Sequence, residues 1–145
     1  MNKSDLVSEW LEIASNDLTV AHHLFDTMHP KPLEIICYHC QQTVEKSLKG
    51  YLIDRDVEPP YIHNLEKLHL MCMGHDTSFD TIEKACLRLN NYSASTRYPN
   101  RPEVMESDAE YALREAERIF NVCTSLIPSL HVAQQGQAKS PKQTK

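Results

Sequence analysis

Proline pairs at 30/32, 59/60 and 99/102 cut this chain into stretches that each carry a helical repeat of apolar residues. Two prolines three apart cannot lie inside a helix, since each removes a backbone donor and clashes with the preceding turn. With only 3 glycines in 145 residues, the chain also lacks the turn material of a β-rich fold. No segment of four to eight residues shows β-branched alternation, and no internal repeat of 20 to 50 residues is present. The expectation is an all-α fold, an up-and-down four-helix bundle with a short extra helix.

The expected first helix runs from Asp5 to Thr27 with Ser4 as N-cap, and Leu6, Trp10, Ile13, Ala21 and Leu24 form its apolar stripe. Pro32 sits where a second helix begins, and that helix spans Leu33 to Asp54. Its stripe is Cys37, Cys40, Val44, Leu48 and Tyr51, with Leu52 beside it. Arg55 to Tyr61 reads as a loop, and Asn64 caps a short third helix carrying Leu65, Leu68 and Met71. After Gly74 to Ser78 a fourth helix is expected from Phe79 to Ser95, with Phe79, Ile82, Cys86 and Leu89 inward. Ser107-x-x-Glu110 has the form of a capping box and opens a last helix running to Leu126. Its buried face is Ala109, Leu113, Ala116, Phe120, Cys123 and Ile127. One domain over residues 1–130 and a disordered polar tail over 131–145 are expected.

Charge narrows the partners. The net charge is −5, but three of the 15 basic residues are tail lysines, leaving 12 against 20 acids over residues 1–130, a balance of −8. Such a body does not attract nucleic acid through its overall field, because that affinity comes from neutralising phosphates. A local basic pocket stays open. No run approaches 18 apolar residues, and MNKSDLVSEW lacks the apolar stretch of a signal peptide, so a cytoplasmic protein with no membrane contact is expected. Five cysteines, an odd number, suit a reduced compartment better than a disulfide framework.

Several chemistries find no support in the spacing. Cys37-x-x-Cys40 shares a helix face, yet both residues fill the apolar stripe, and no second CxxC completes a zinc ribbon. Neither HExxH, GxGxxG, a Walker loop nor GxSxG occurs. No metal and no cofactor is expected. The informative residues are polar groups within the stripes: Asp17 in the first helix and Gln41 and Glu45 in the second, expected to form one cluster between the two. Lys46, Lys49 and Arg97 are the cations available to it. Its role is either structural pairing or a pocket.

Four segments in order resemble one known family. The run Cys37-Tyr38-His39-Cys40-Gln41-Gln42-Thr43-Val44-Glu45-Lys46-Ser47-Leu48-Lys49 is similar to the second-helix signature QQ-x-x-EK-x-LK of HEPN domains. His63-Asn64-Leu65-x-x-Leu68 resembles the family's histidine-led short helix, and Tyr92 with Thr96-Arg97-Tyr98-Pro99 its RYP turn. Asp17 falls where members carry an acid in the first helix. The resemblance implies a helical bundle that forms symmetric dimers, partnership with a minimal nucleotidyltransferase, and in many branches a metal-independent RNase toxin using R-x(4–6)-H. This chain departs from that motif, since no histidine follows Arg97 or Arg101 before His131. The imidazole that would serve as acid and base near neutral pH is therefore missing from its usual place. Arg97 then either grips a phosphate or pairs with Glu45 or Asp17, and Tyr98 either stacks on a base or covers the turn.

The expected function is a dimeric, non-catalytic HEPN-type module that binds a nucleotide, RNA or a nucleotidyltransferase partner. Asp17, Gln41, Glu45, Lys49, His63, Arg97 and Tyr98 would line its pocket. The alternatives are an RNase with an altered active site and a purely structural dimerisation protein.

Overall fold

The computed structural model describes residues 1–93, 99 and 102–130. Five α-helices appear among the described residues: α1 (Lys3–Thr27), α2 (Leu33–Asp54), α3 (Leu65–Met73), α4 (Glu83–Leu89) and α5 (Glu106–Ser125). Short 3-10 turns at Thr77–Ile82 and Asn90–Tyr92 bracket α4, and no strand occurs among the described residues. The tail over 131–145 lies outside them.

Helix α2 is the axle. It packs against α1 along its length and also meets α3, α4 and α5. That surrounding explains why residues on nearly every side of it are buried, including Gln41, Thr43, Glu45, Ser47 and Lys49. The side toward α1 is small and hydroxylic, and it lets the backbones approach closely. Thr43 Oγ1 donates to the Ala14 carbonyl at 3.1 Å, and a Cβ on Gly50 would lie 3.3 Å from Leu11 Cδ2. The opposite side carries Val44, Leu48, Tyr51 and Leu52 into the main core with Phe79, Ile82, Leu113 and Ile119.

Four expectations are corrected. The N-cap of α1 is Asn2, whose side chain accepts from the Asp5 N–H at 2.8 Å, so the helix begins two residues before Asp5. Its core stripe is Val7, Leu11, Ala14 and Ala21, while Leu6 and Ile13 stay 37% and 42% exposed. Two apolar stripes lie side by side on this helix, and close packing on Thr43 and Gly50 selects the one that contains Ala14. The single fourth helix becomes 3-10, α and 3-10 segments, with Ser95 outside the described residues. Asp76 caps the first 3-10 turn, and Asn90, just past the end of α4 at Leu89, accepts from Leu65 N–H of α3 at 2.8 Å through its side chain. Finally, α5 is capped from Met105, not Ser107. The Asp108 carboxylate accepts from Met105 N–H at 2.8 Å, and Arg88 donates to it at 2.9 Å.

The end of α2 shapes the neighbouring surface. Asp56 takes φ 62°, Val57 N–H donates to the Leu52 carbonyl and Asp56 N–H to that of Ile53. This is the Schellman arrangement with aspartate where glycine is usual. It turns the chain from α2 into Val57–Tyr61 and back toward the N-terminus of α1.

Candidate functional site

The polar residues expected as one cluster form two. One α-helical turn takes 3.6 residues, so positions 39 and 46 of α2 share one side while 41, 45 and 49 share another. Asp17 reaches the first side, accepting from Lys46 Nζ at 2.6 Å and pairing with His39 Nδ1 at 2.9 Å. Gln41 and Glu45 point to the segment before α3 instead. Helix periodicity put all three residues inward, but inward of α2 has two meanings when neighbours lie on both sides.

The second set converges on His63. Gln41 is wholly buried; its Nε2 donates to the His63 carbonyl at 3.1 Å, and its oxygen accepts from Gln42 Nε2 at 2.8 Å. Glu45, with its side chain only 4% exposed, binds His63 Nδ1 at 2.9 Å and accepts from Lys49 Nζ at 3.2 Å. One α2 turn therefore grips the main chain of His63 and the next grips its ring. A carboxylate acceptor places the proton on Nδ1 and leaves the Nε2 edge facing outward from a ring whose side chain is 73% exposed. The following residue, Asn64, caps α3 by accepting from Lys67 N–H, which holds this segment in place.

Lys49 links this set to a concavity. Its ammonium lies 5.8 Å from the centroid of the Trp10 ring, with the side chain only 7% exposed. Both residues wall an open pocket of about 470 Å³ lined also by Leu6, Ile53, Val57 and Pro60. At its rim Lys3 pairs with Asp56 at 3.3 Å. The structure thus brings Gln41, Glu45, Lys49 and His63 together and leaves Asp17 in a separate pairing. Arg97 and Tyr98 lie outside the described residues. Sequence reasoning missed His39 as the partner of Asp17 and Trp10 as a pocket wall. The seven-residue spacing of His39 and Lys46 is the signal for the former; nothing local distinguishes the latter from a core residue.

A family model described as HEPN domain matches residues 7–126. The chain belongs to the HEPN family. TT1696 from Thermus thermophilus, a solved structure, is 26% identical over 86% of this chain and 98% of its own, with a TM-score of 0.71. ST0689, described as an archaeal HEPN homologue, superposes with a TM-score of 0.66 over 83% of this chain and 97% of its own. At 23% identity it attests the fold alone. No curated protein matches. In this HEPN chain the QQ-x-x-EK run has a physical reading: Gln41 and Glu45 position His63, while Lys46 closes on Asp17.

Other chemistry in this HEPN domain is muted. All five cysteines are free and buried, and burial pushes the Cys37 and Cys86 thiols up to about 12, far from the thiolate form. No cluster of metal-ligating side chains occurs among the described residues, and no helix among them is long and apolar enough to cross a membrane.

Proposed function

We propose that this chain is a dimeric, non-catalytic HEPN module and that the pocket walled by Trp10 and Lys49 receives a nucleotide, taken up free or from a nucleotidyltransferase partner. The observation that carries the reading is Lys49, a buried cation that touches both the Glu45–His63 set and the Trp10-walled pocket. A concavity of about 470 Å³ suits one small ligand. An indole face suits a base, and the apolar Ile53, Val57 and Pro60 suit burial of its ring. An RNA backbone is the poorer fit, since the chain is acidic at −5 and Asp56 and Glu58 stand on the pocket wall. The missing R-x(4–6)-H histidine supports a binding role over cleavage.

The test is a thermal-shift series with nucleoside mono-, di- and triphosphates and a short RNA, on the parent chain and on Trp10→Leu. The expected result is stabilisation by a mononucleotide that Trp10→Leu reduces at least tenfold in apparent affinity. Stabilisation that survives Trp10→Leu would place the ligand elsewhere. Indifference to every ligand would favour the purely structural reading.

One observation favours a second reading. A buried carboxylate orienting a histidine with its far nitrogen outward is the geometry of a general base, and His63 has it. An RNase with this altered centre would cleave RNA without metal and lose activity in His63→Ala while keeping its fold.

A further inference from the structure

Helix α1 carries a second, largely apolar seam on which Leu6, Ile13 and Val20 stay exposed, while Leu24 packs at the core's edge, Trp10 lies against Lys49 and Asp17 pairs with Lys46. Leu6, Trp10, Ile13, Asp17, Val20 and Leu24 recur at alternating steps of four and three residues, the spacing by which one helix packs along another. Leu6, Ile13 and Val20 are 37%, 42% and 41% exposed on this line. The core is served by the neighbouring stripe of Val7, Leu11, Ala14 and Ala21.

The geometry points to a second copy of this chain as the occupant, with α1 antiparallel to the partner's α1 across a twofold axis near Ser15. The seam is its own mirror about that level: Leu6 meets Leu24 of the partner subunit, Trp10 meets Val20 of the partner subunit, and Ile13 meets Asp17 of the partner subunit. The outer edge of α2 repeats the property independently. Ile35, Gln42, Lys46 and Ile53 reverse onto themselves about Val44, with Ile35 opposite Ile53 and Gln42 opposite Lys46. These two centres stand at one level of the bundle, because Thr43 bonds the Ala14 carbonyl. A single axis therefore satisfies both helices, as a closed isologous interface requires.

Charge favours this orientation over a parallel one. Glu9 and His23 flank the seam, both exposed, and the antiparallel axis sets Glu9 beside His23 of the partner subunit. Parallel pairing would stack Glu9 on Glu9 and Asp17 on Asp17. Leu6 and Trp10 also wall the pocket described above, so Val20 and Ile35 of the partner subunit would approach its open side and complete it. This inference rests on the dimeric reading of the preceding section and adds the face and the direction.

The experiment is light scattering and sedimentation on the full chain, with Ile13→Glu/Val20→Glu and, as a control, Leu70→Glu on the exposed face of α3. The expected result is a dimeric parent and control and a monomeric double variant with unchanged helicity and cooperative melting. A dimer that survives the double substitution would overturn this face while leaving the dimeric reading intact. A monomeric parent would overturn both. Direction is read by single cysteines and a short bismaleimide, the native cysteines being buried. Asn16→Cys should cross-link to its own copy and Leu6→Cys should not; cross-linking of Leu6→Cys as well would overturn the antiparallel axis.

Discussion

The two polar sets on α2 use the same residue types and differ in what surrounds them. Asp17, His39 and Lys46 lie at the outer edge of the α1–α2 contact with side chains 14–24% exposed, and their charges close on one another. Glu45 and Lys49 are nearly dry, and they connect a presented histidine on one side to an apolar pocket on the other. The lesson concerns solvent. A carboxylate that keeps some water is a local staple, whereas one without water depends wholly on its partners and transmits any change to them.

The largest expected effect tests that dependence. Glu45→Ala strands the Lys49 ammonium in a dry site and releases His63, so a loss of about 3–5 kcal/mol is expected from urea unfolding. A cost near 1 kcal/mol would mean that water reaches Lys49, and the contrast between the sets would collapse. Next comes Gln41→Leu, which leaves the His63 carbonyl without its buried donor and is expected to cost about 1–3 kcal/mol. The companion readout is faster hydrogen exchange at Leu65 and Lys67, whose amides are held by the adjoining caps. Asp17→Asn keeps a hydrogen-bond acceptor toward Lys46 and removes only a partly hydrated charge. Its expected cost is about 1 kcal/mol or less, and a larger value would move this set into the dry class.

The smallest effect lies outside both sets and serves as their acid control. The Met105 N–H, with Arg88, holds the Asp108 carboxyl below its ordinary value. A depressed folded pKa contributes stability that is complete above the unfolded value of about 3.9 and disappears as pH falls through the folded one. Asp108→Asn should therefore lower the neutral plateau slightly, and its difference from the parent should close as pH falls below about 4.

The helical segmentation was legible because its causes are local. Proline pairs stop helices, Asn64 caps one, and the α2 stripe from Cys37 to Tyr51 lies in the core as its periodicity requires. The site was legible in part. Gln41, Glu45, Lys49 and His63 do converge, but Asp17 separates from them, and Arg97 and Tyr98 lie outside the described residues. The misplaced cap of α1 and the broken fourth helix share one cause. In each, a side chain such as Asn2 or Asp76 satisfies backbone groups that propensity alone leaves open.

By itself the sequence determined an all-helical chain and the identity of most core residues, since both follow from short-range spacing, and its motifs carried the resemblance to the HEPN family. Only the tertiary structure decided which stripe of α1 turned inward and which side of α2 each polar residue faced. Periodicity defines the faces of a helix but not its rotation against a neighbour. Here the rotation follows from the close approach at Gly50 and Thr43, where a small side chain can fit and a large one cannot.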